Sequence, residues 1–132
     1  MRIDRLTNLA QQAVSDAQSS AISAGHGELG SLHLLAAILA DTQGPARAML
    51  NKAGGKTDRL VSFVATELGR LPSASGNQPN PRQLVEVVTK AETIAKKMGD
   101  AYVSIEHLVL AMIDVGGTAK EALSLAGFDR SR

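Results

Sequence analysis

Two glycine-containing segments have the residue types of nucleotide-binding loops. Residues 25–30 match the spacing G-x-G-x-x-G, and residues 55–57 read Gly-Lys-Thr, as at the end of a P-loop. Such loops hold a phosphate only when a strand precedes them, because the glycines then aim several backbone N–H groups at the anion. A helical pattern precedes residues 25–30, and Leu50 replaces the first glycine of the P-loop. We therefore interpret both segments as turns between helices, expect Lys56 to be solvated, and predict no cofactor in this chain.

Histidine is the other residue type that could carry chemistry, since the chain has three histidines and no cysteine. His33 and His107 each stand at the start of an apolar helical segment, and neither belongs to H-E-x-x-H or another short metal-ligand spacing. The sequence therefore predicts no metal site, and we expect each imidazole to hydrogen-bond a backbone group near its helix start. No G-x-S-x-G segment positions a serine nucleophile, so no catalytic residue is predicted.

Helical periodicity must position these side chains. Apolar residues at three- and four-residue steps, with glycine or proline at the boundaries, predict seven helices that begin near residues 6, 31, 46, 57, 81, 104 and 118. Residues 84–88 alone would fit a strand, but the helical spacing continues to Met98 and favours a helix. Thr118 and Glu121 have the spacing of a capping box, and the glycine, proline and serine content of residues 69–80 predicts a linker.

The two halves of the chain repeat each other. Residues 17–37 align without gaps on residues 91–111, which places His33 on His107, and residues 44–54 align on residues 117–127. Such self-similarity indicates duplicated supersecondary units. The predicted fold is therefore all-α, with two homologous helical bundles packed together because each leaves an apolar face uncovered.

Composition excludes several kinds of partner. The 132 residues include 14 basic and 13 acidic side chains, one tyrosine, two phenylalanines and no tryptophan. This balance gives little attraction for phosphate backbones and little aromatic surface for bases to stack on, so no nucleic-acid partner is expected. No apolar run reaches the roughly 18 residues that cross a membrane. We expect a cytoplasmic protein without a membrane partner.

Four segments resemble the N-terminal domain of the Clp-type AAA+ unfoldases. They are residues 1–7, 32–35, 70–72 and 99–108, which read MRIDRLT, LHLL, RLP and GDAYVSIEHL. The opening and the Arg-Leu-Pro segment are most similar to the ClpB disaggregase branch, with the ClpA and ClpC branches as the alternative. The helix predicted near residue 57 has no counterpart after the second repeat. The chain is therefore expected to be either a piece of a longer protein or a shorter relative that stands alone.

The resemblance implies an all-α domain of two pseudo-twofold-related repeats, about residues 1–70 and 81–132, joined by the linker at 69–80. It implies a module without catalysis, tethered ahead of two ATPase modules that bind ATP and Mg²⁺. The expected partners are unfolded or aggregated polypeptides, and the alternative partner is one folded adaptor protein. The isolated domain is expected to be a monomer and the full-length protein a homohexamer.

Seven residues are candidates for binding such a client. The resemblance implies that a threonine in the opening segment and an acid pair around the second repeat's turn engage substrate, and these positions are Thr7, Asp100 and Glu106. Each also has a structural explanation, because such residues are common at helix starts and turns. An unfolded client offers apolar side chains, so the first-helix face and its counterpart add four candidates, for which core packing is the alternative. These four are Leu9, Ala13, Val87 and Val88.

Overall fold

The computed structural model describes residues 3–73 and 78–128. Within them the chain forms a short 3-10 helix and seven α-helices, and no strand, which confirms the all-α prediction. The 3-10 helix spans Ile3–Arg5, and the α-helices are α1 (Asn8–Ala24), α2 (Ser31–Ala40), α3 (Pro45–Lys52), α4 (Thr57–Gly69), α5 (Arg82–Lys97), α6 (Ile105–Val115) and α7 (Thr118–Leu125). None of these helices is long and apolar enough to cross a membrane.

Two predictions concern residues outside this range. Residues 74–77 belong to the predicted linker, and the counterpart of α4 would begin beyond Phe128, so both lie outside the described residues. The described ends of the linker are anchored, because Asn80 pairs with the loop between α1 and α2 through backbone hydrogen bonds to Gly27 and Leu29.

Local sequence signals set most helix boundaries. Thr7 precedes α1, and its hydroxyl accepts a hydrogen bond from the Ala10 N–H at 3.2 Å. Gly25 follows α1 with φ of 70°, and Gly99 stands at the equivalent place after α5 with φ of 76°. This left-handed conformation closes a helix at little cost only for glycine, which explains why both ends were predictable.

The capping box predicted at Thr118 is wrong. α7 starts at Thr118 itself, and the residue that caps it is Gly117, which has no side chain to accept a hydrogen bond. Gly116 and Gly117 both have positive φ, so two glycines make the turn and place the threonine one position too late to cap. The sequence also suggests Thr57 as the residue that caps α4, but α4 begins at Thr57 itself, and its hydroxyl donates to Asn51 Oδ1 at 2.8 Å.

The helices follow each other in the same order in both repeats. The alignment that places His33 on His107 also brings the bounds of α2 onto those of α6 to within one position, and the alignment of residues 44–54 on 117–127 brings α3 onto α7. The two central helices, α2 and α6, supply many of the fully buried side chains, including Leu34, Leu35, Leu108 and Met112. α2 and α6 therefore form the centre of one continuous apolar core.

The segment that leads into each repeat pairs with the other repeat. Leu6 forms a parallel bridge with Val103, which lies before α6, and Asn80 forms one with Glu28, which lies before α2. These crossed contacts connect the start of α1 to the turn before α6. They bring Thr7 close to the loop that carries Asp100, although the two residues are far apart in sequence.

Candidate functional site

The turn before α6 is held by a hydrogen-bonded network of four side chains. Ser104 precedes α6, and its backbone N–H donates to His107 Nδ1 at 2.9 Å, as predicted from the sequence. Because Nδ1 accepts this bond, the imidazole proton lies on Nε2, which donates to Asp100 Oδ2 at 2.8 Å. The Ser104 hydroxyl donates to Glu106 Oε2 at 2.8 Å. The structure thus brings Asp100 and Glu106 together around one imidazole.

Ser104, His107 and Asp100 are the residue types of a hydrolase triad, but their hydrogen bonds do not form one. A general base needs a free lone pair facing the serine hydroxyl. His107 Nδ1 lies 3.0 Å from Ser104 Oγ, yet it already accepts the backbone N–H, and the hydroxyl proton is directed to Glu106. The arrangement therefore stabilises a helix start and does not activate a nucleophile.

The first repeat contains the same hydrogen bond between a backbone N–H and a histidine, without the serine and the carboxylates. The Gly30 N–H donates to His33 Nδ1 at 3.1 Å, and His33 Nε2 lies 2.8 Å from His26 Nδ1. His26 takes the place of Asp100, and Gly30 takes the place of Ser104. Burial lowers the pKa of His33 from 6.5 to about 4, and the charge of His26 makes a smaller contribution in the same direction. The shared role of both histidines is structural, and only the second repeat adds carboxylates.

Exposed apolar side chains surround the two carboxylates. Asp100 and Glu106 share a shallow depression with Met98 and Tyr102, which are 60% and 56% exposed. We call these four residues the acidic turn. Surface-exposed side chains of this size are available to a partner, whereas the His107 imidazole beneath them is buried.

Thr7 lies beside the acidic turn, although its hydroxyl already accepts a hydrogen bond from the Ala10 N–H. Its backbone N–H donates to the Val103 carbonyl at 3.0 Å, and its side chain caps α1. Thr7 therefore connects the start of α1 to the loop before α6.

Leu9 and Ala13 line an apolar cleft between α1, the α2–α3 turn and the start of α6. Leu9 is 51% exposed, whereas Ala13 is buried in the floor. The residues that complete this lining were not predicted from the sequence: Ala37, Ile38, Gly44, Pro45, Ala46 and Ile105, with Gln12, Asp16 and Asp41. We call this feature the α1 cleft. Ile105 directly precedes Glu106, so the α1 cleft and the acidic turn meet at the first turn of α6.

Val87 and Val88 do not reach the surface. Both are fully buried, so neither can contact a client in the folded domain. Val87 is the counterpart of Ala13, and the equivalent cleft in the second repeat is polar because Gln83 replaces Leu9. Gln83 Oε1 accepts a hydrogen bond from the Ser31 N–H at 2.9 Å and so caps the start of α2. The two apolar faces expected from the sequence are therefore not equivalent.

The other chemical motifs lie in turns. Residues 25–30 connect α1 to α2, and Lys56 is exposed between α3 and α4, as expected. Across residues 3–73 and 78–128, no three histidine, aspartate or glutamate side chains group closely enough to hold a metal ion. Of the site residues predicted from the sequence, those of the acidic turn and the α1 cleft, with Thr7 beside them, remain candidates.

Solved structures with this fold include the N-terminal domains of Hsp104 and ClpV proteins. The Hsp104 N-terminal domain from Candida albicans has a TM-score of 0.82 and 24% identity, and the match covers 94% of this chain and 83% of that one. A ClpV N-domain in complex with a VipB peptide has a TM-score of 0.77 and 19% identity, covering 95% and 81%. These likenesses show a shared all-helical fold.

The sequence is similar to curated chaperones. Chaperone protein ClpB from Rhodopirellula baltica is 38% identical over 128 residues, which are 96% of this chain and 14% of the relative. ClpB from Nitratidesulfovibrio vulgaris is 32% identical over 120 residues, covering 86% and 14%. The chain thus spans about one seventh of the length of these relatives. The family model of the Clp repeat (R) N-terminal domain matches residues 5–126. Since that match takes in all seven α-helices, this chain belongs to the Clp repeat N-terminal domain family.

Proposed function

We propose that this chain is the substrate-recognition module of a ClpB-type, ATP-dependent disaggregase and that it binds unfolded or aggregated polypeptide. ATP and Mg²⁺ would then act in ATPase modules outside this chain, and the full-length protein would assemble as a homohexamer. Support comes from the ClpB relatives, of which the chain spans 14%.

The observation that carries the proposal is the position of the α1 cleft next to the acidic turn. An unfolded chain differs from a folded one in offering apolar side chains and unpaired backbone groups together. The α1 cleft can accept an apolar side chain, and the acidic turn presents carboxylates and the exposed Met98 and Tyr102 beside it. Because the first turn of α6 contributes Ile105 to the α1 cleft and Glu106 to the acidic turn, one extended segment can contact both.

The expected binding is weak and has little sequence preference. Tight interfaces depend on large buried anchors, and the acidic turn has one aromatic side chain, Tyr102. A client must also lose conformational entropy on docking, so we expect a Kd in the micromolar range or poorer. Six tethered domains in a hexamer would raise the effective concentration of such sites and still release the client.

The test is an NMR titration of the domain with a permanently unfolded protein and, separately, with its compact folded form. Shifts should appear with the unfolded form only and should cluster at Thr7, Leu9 and residues 100–108. They should weaken in an Asp100→Ala/Glu106→Ala variant that keeps its helical circular dichroism signal.

A matched control removes the same charge elsewhere. Asp58 and Glu121 are exposed carboxylates in the first turns of α4 and α7, and neither belongs to the α1 cleft or the acidic turn. Asp58→Ala/Glu121→Ala should therefore bind the client as the wild type does. If this control weakens binding equally, general electrostatic attraction explains the interaction and the proposed face is wrong.

A second candidate function is docking of one folded adaptor protein. What supports one specific partner is a neighbour of this fold, a ClpV N-domain whose solved structure holds a VipB peptide. In the titration, equal binding of the folded and unfolded forms would support this alternative. Absence of binding to either form would contradict the proposed client role.

A further inference from the structure

We propose that the α1 cleft takes a single aliphatic side chain, leucine, isoleucine or valine, from a client segment in which lysine or arginine lies next to that residue. This inference rests on the proposed function, and it names the part of the client that the domain recognises.

The size of the α1 cleft limits what it can hold. Its volume is about 60 Å³, and each water-sized atom needs roughly 10–15 Å³ of such space. The cleft therefore admits about four to six non-hydrogen atoms, which is enough for the four carbon atoms of a leucine side chain but not for the seven of phenylalanine. A phenylalanine or tryptophan side chain exceeds this limit.

The chemistry of the floor is alkyl. Ala13, Ala37, Ala46 and Ile38 form the floor, with Pro45 and Ile105 at the sides. These side chains offer no hydrogen-bond partner, so a hydroxyl or amide group placed there would lose its hydrogen bonds to water without replacement. An aliphatic side chain loses nothing and is removed from water, which favours binding.

The rim of the α1 cleft is acidic. Asp16 and Asp41 are exposed at the rim, and no lysine or arginine is among the described residues that line the cleft. Glu106 lies next to Ile105 on the side of the acidic turn. A client residue adjacent to the anchored side chain therefore lies near the Asp16 and Asp41 carboxylates, and a cation there is favoured over an anion.

The counterpart cleft in the second repeat supports this assignment. Gln83 stands where Leu9 stands in the first repeat, and its side chain is hydrogen-bonded to Ser31. That cleft is lined by Glu28, Arg82 and Glu86, and it has no comparable alkyl floor. The same scaffold thus carries one apolar cleft and one polar cleft, so the apolar lining is not a requirement of the fold.

The test uses synthetic peptides with one Leu-Lys pair inside a Gly/Ser chain, titrated into the domain and followed by NMR shifts of Leu9 and Ala37. Replacing Leu by Ala should weaken binding at least tenfold, since it removes most of the buried alkyl surface. Replacing Leu by Phe should give no tighter binding, and replacing Lys by Glu should weaken it severalfold.

Two domain variants test whether the peptide binds in the α1 cleft. Ala37→Leu fills it and should abolish the shifts, whereas Ala36→Leu, on the same helix, should not. Leucine is the natural residue at the counterpart of position 36, Leu110, so the control is compatible with the fold. Asp16→Asn/Asp41→Asn changes two exposed residues only and should reduce the preference for Lys over Glu.

Three results would overturn the inference: tighter binding of the Phe peptide, unchanged binding by Ala37→Leu, or absence of binding by the Leu-Lys peptide. The proposed function is tested separately. If an unfolded protein still shifts residues 100–108 in the Ala37→Leu variant, the single-anchor inference fails while client binding stands. If no unfolded protein binds the wild-type domain, the proposed function fails.

Discussion

The buried histidine of the first repeat should make the domain sensitive to mild acid. His33 is 2% exposed, its Nδ1 accepts the Gly30 N–H, and its Nε2 faces His26. An added proton must go to Nδ1, where it displaces the Gly30 bond. Burial, together with His26, lowers the pKa of His33 to about 4. The unfolded chain therefore binds the proton more readily than the folded one between pH 6.5 and about 4.

The sign and size of the effect follow from this difference. The free energy of unfolding rises with pH across the window, and the contribution is fully present above pH 6.5 and lost as the pH falls towards 4. A pKa difference of this size corresponds to a loss of about 2 kcal/mol by pH 5 and about 3 kcal/mol by pH 4.

The matched variant is His33→Gln. Glutamine at the third position of a helix can accept the same backbone N–H but does not titrate. Urea unfolding followed by circular dichroism at pH 7, 5 and 4, at constant ionic strength, should show a steeper loss of stability in the wild type than in the variant. The difference in stability between the wild type and His33→Gln at pH 7, where His33 is uncharged, reports the cost of the substitution itself. Equal pH dependence in the wild type and His33→Gln would refute the reasoning.

Two further predictions concern the turn between α3 and α4. Gly55→Ala should destabilise the domain by about 1–3 kcal/mol, because a Cβ at position 55 would overlap the buried Phe128 ring. Gly69→Ala is the control and should not destabilise it, because a Cβ at position 69 meets no atom within 4 Å. Comparable urea midpoints for the two variants would contradict this prediction. Calorimetric titration with Mg-ATP should give no binding at Lys56, because a helix and not a strand precedes it. Micromolar affinity abolished by Lys56→Ala would show that prediction to be wrong.

The features that sequence predicted well are local. The end of α1 at Gly25 and the start of α3 at Pro45 depend on the conformational range of single residues, which periodicity and residue type reveal. The bond from each histidine to its helix start was predictable for the same reason, since its partners are close neighbours in the sequence. The capping box at Thr118 failed because Gly116 and Gly117 change the local geometry.

The candidate site was less predictable because its parts come from both repeats. Helical spacing places Leu9 and Val87 on apolar faces, but it does not show which face is covered by the other repeat. The structure leaves Leu9 exposed and buries Val87 completely. Ile105 completes the α1 cleft from the other repeat, and no spacing within the sequence indicates that contact.

The first turn of α6 shows how one repeat of a duplicated fold can differ from the other at a candidate binding face. In both repeats the third residue of the helix is a histidine, and its Nδ1 accepts a hydrogen bond from the backbone N–H of the residue before the helix. The two helices therefore begin in the same way. The first repeat places glycine and histidine around this bond, whereas the second places Ser104 and Asp100. The Ser104 hydroxyl fixes one oxygen of Glu106, and the imidazole fixes one oxygen of Asp100. Both carboxylates are therefore oriented by the same contacts that begin α6, the helix whose first residue, Ile105, lines the α1 cleft.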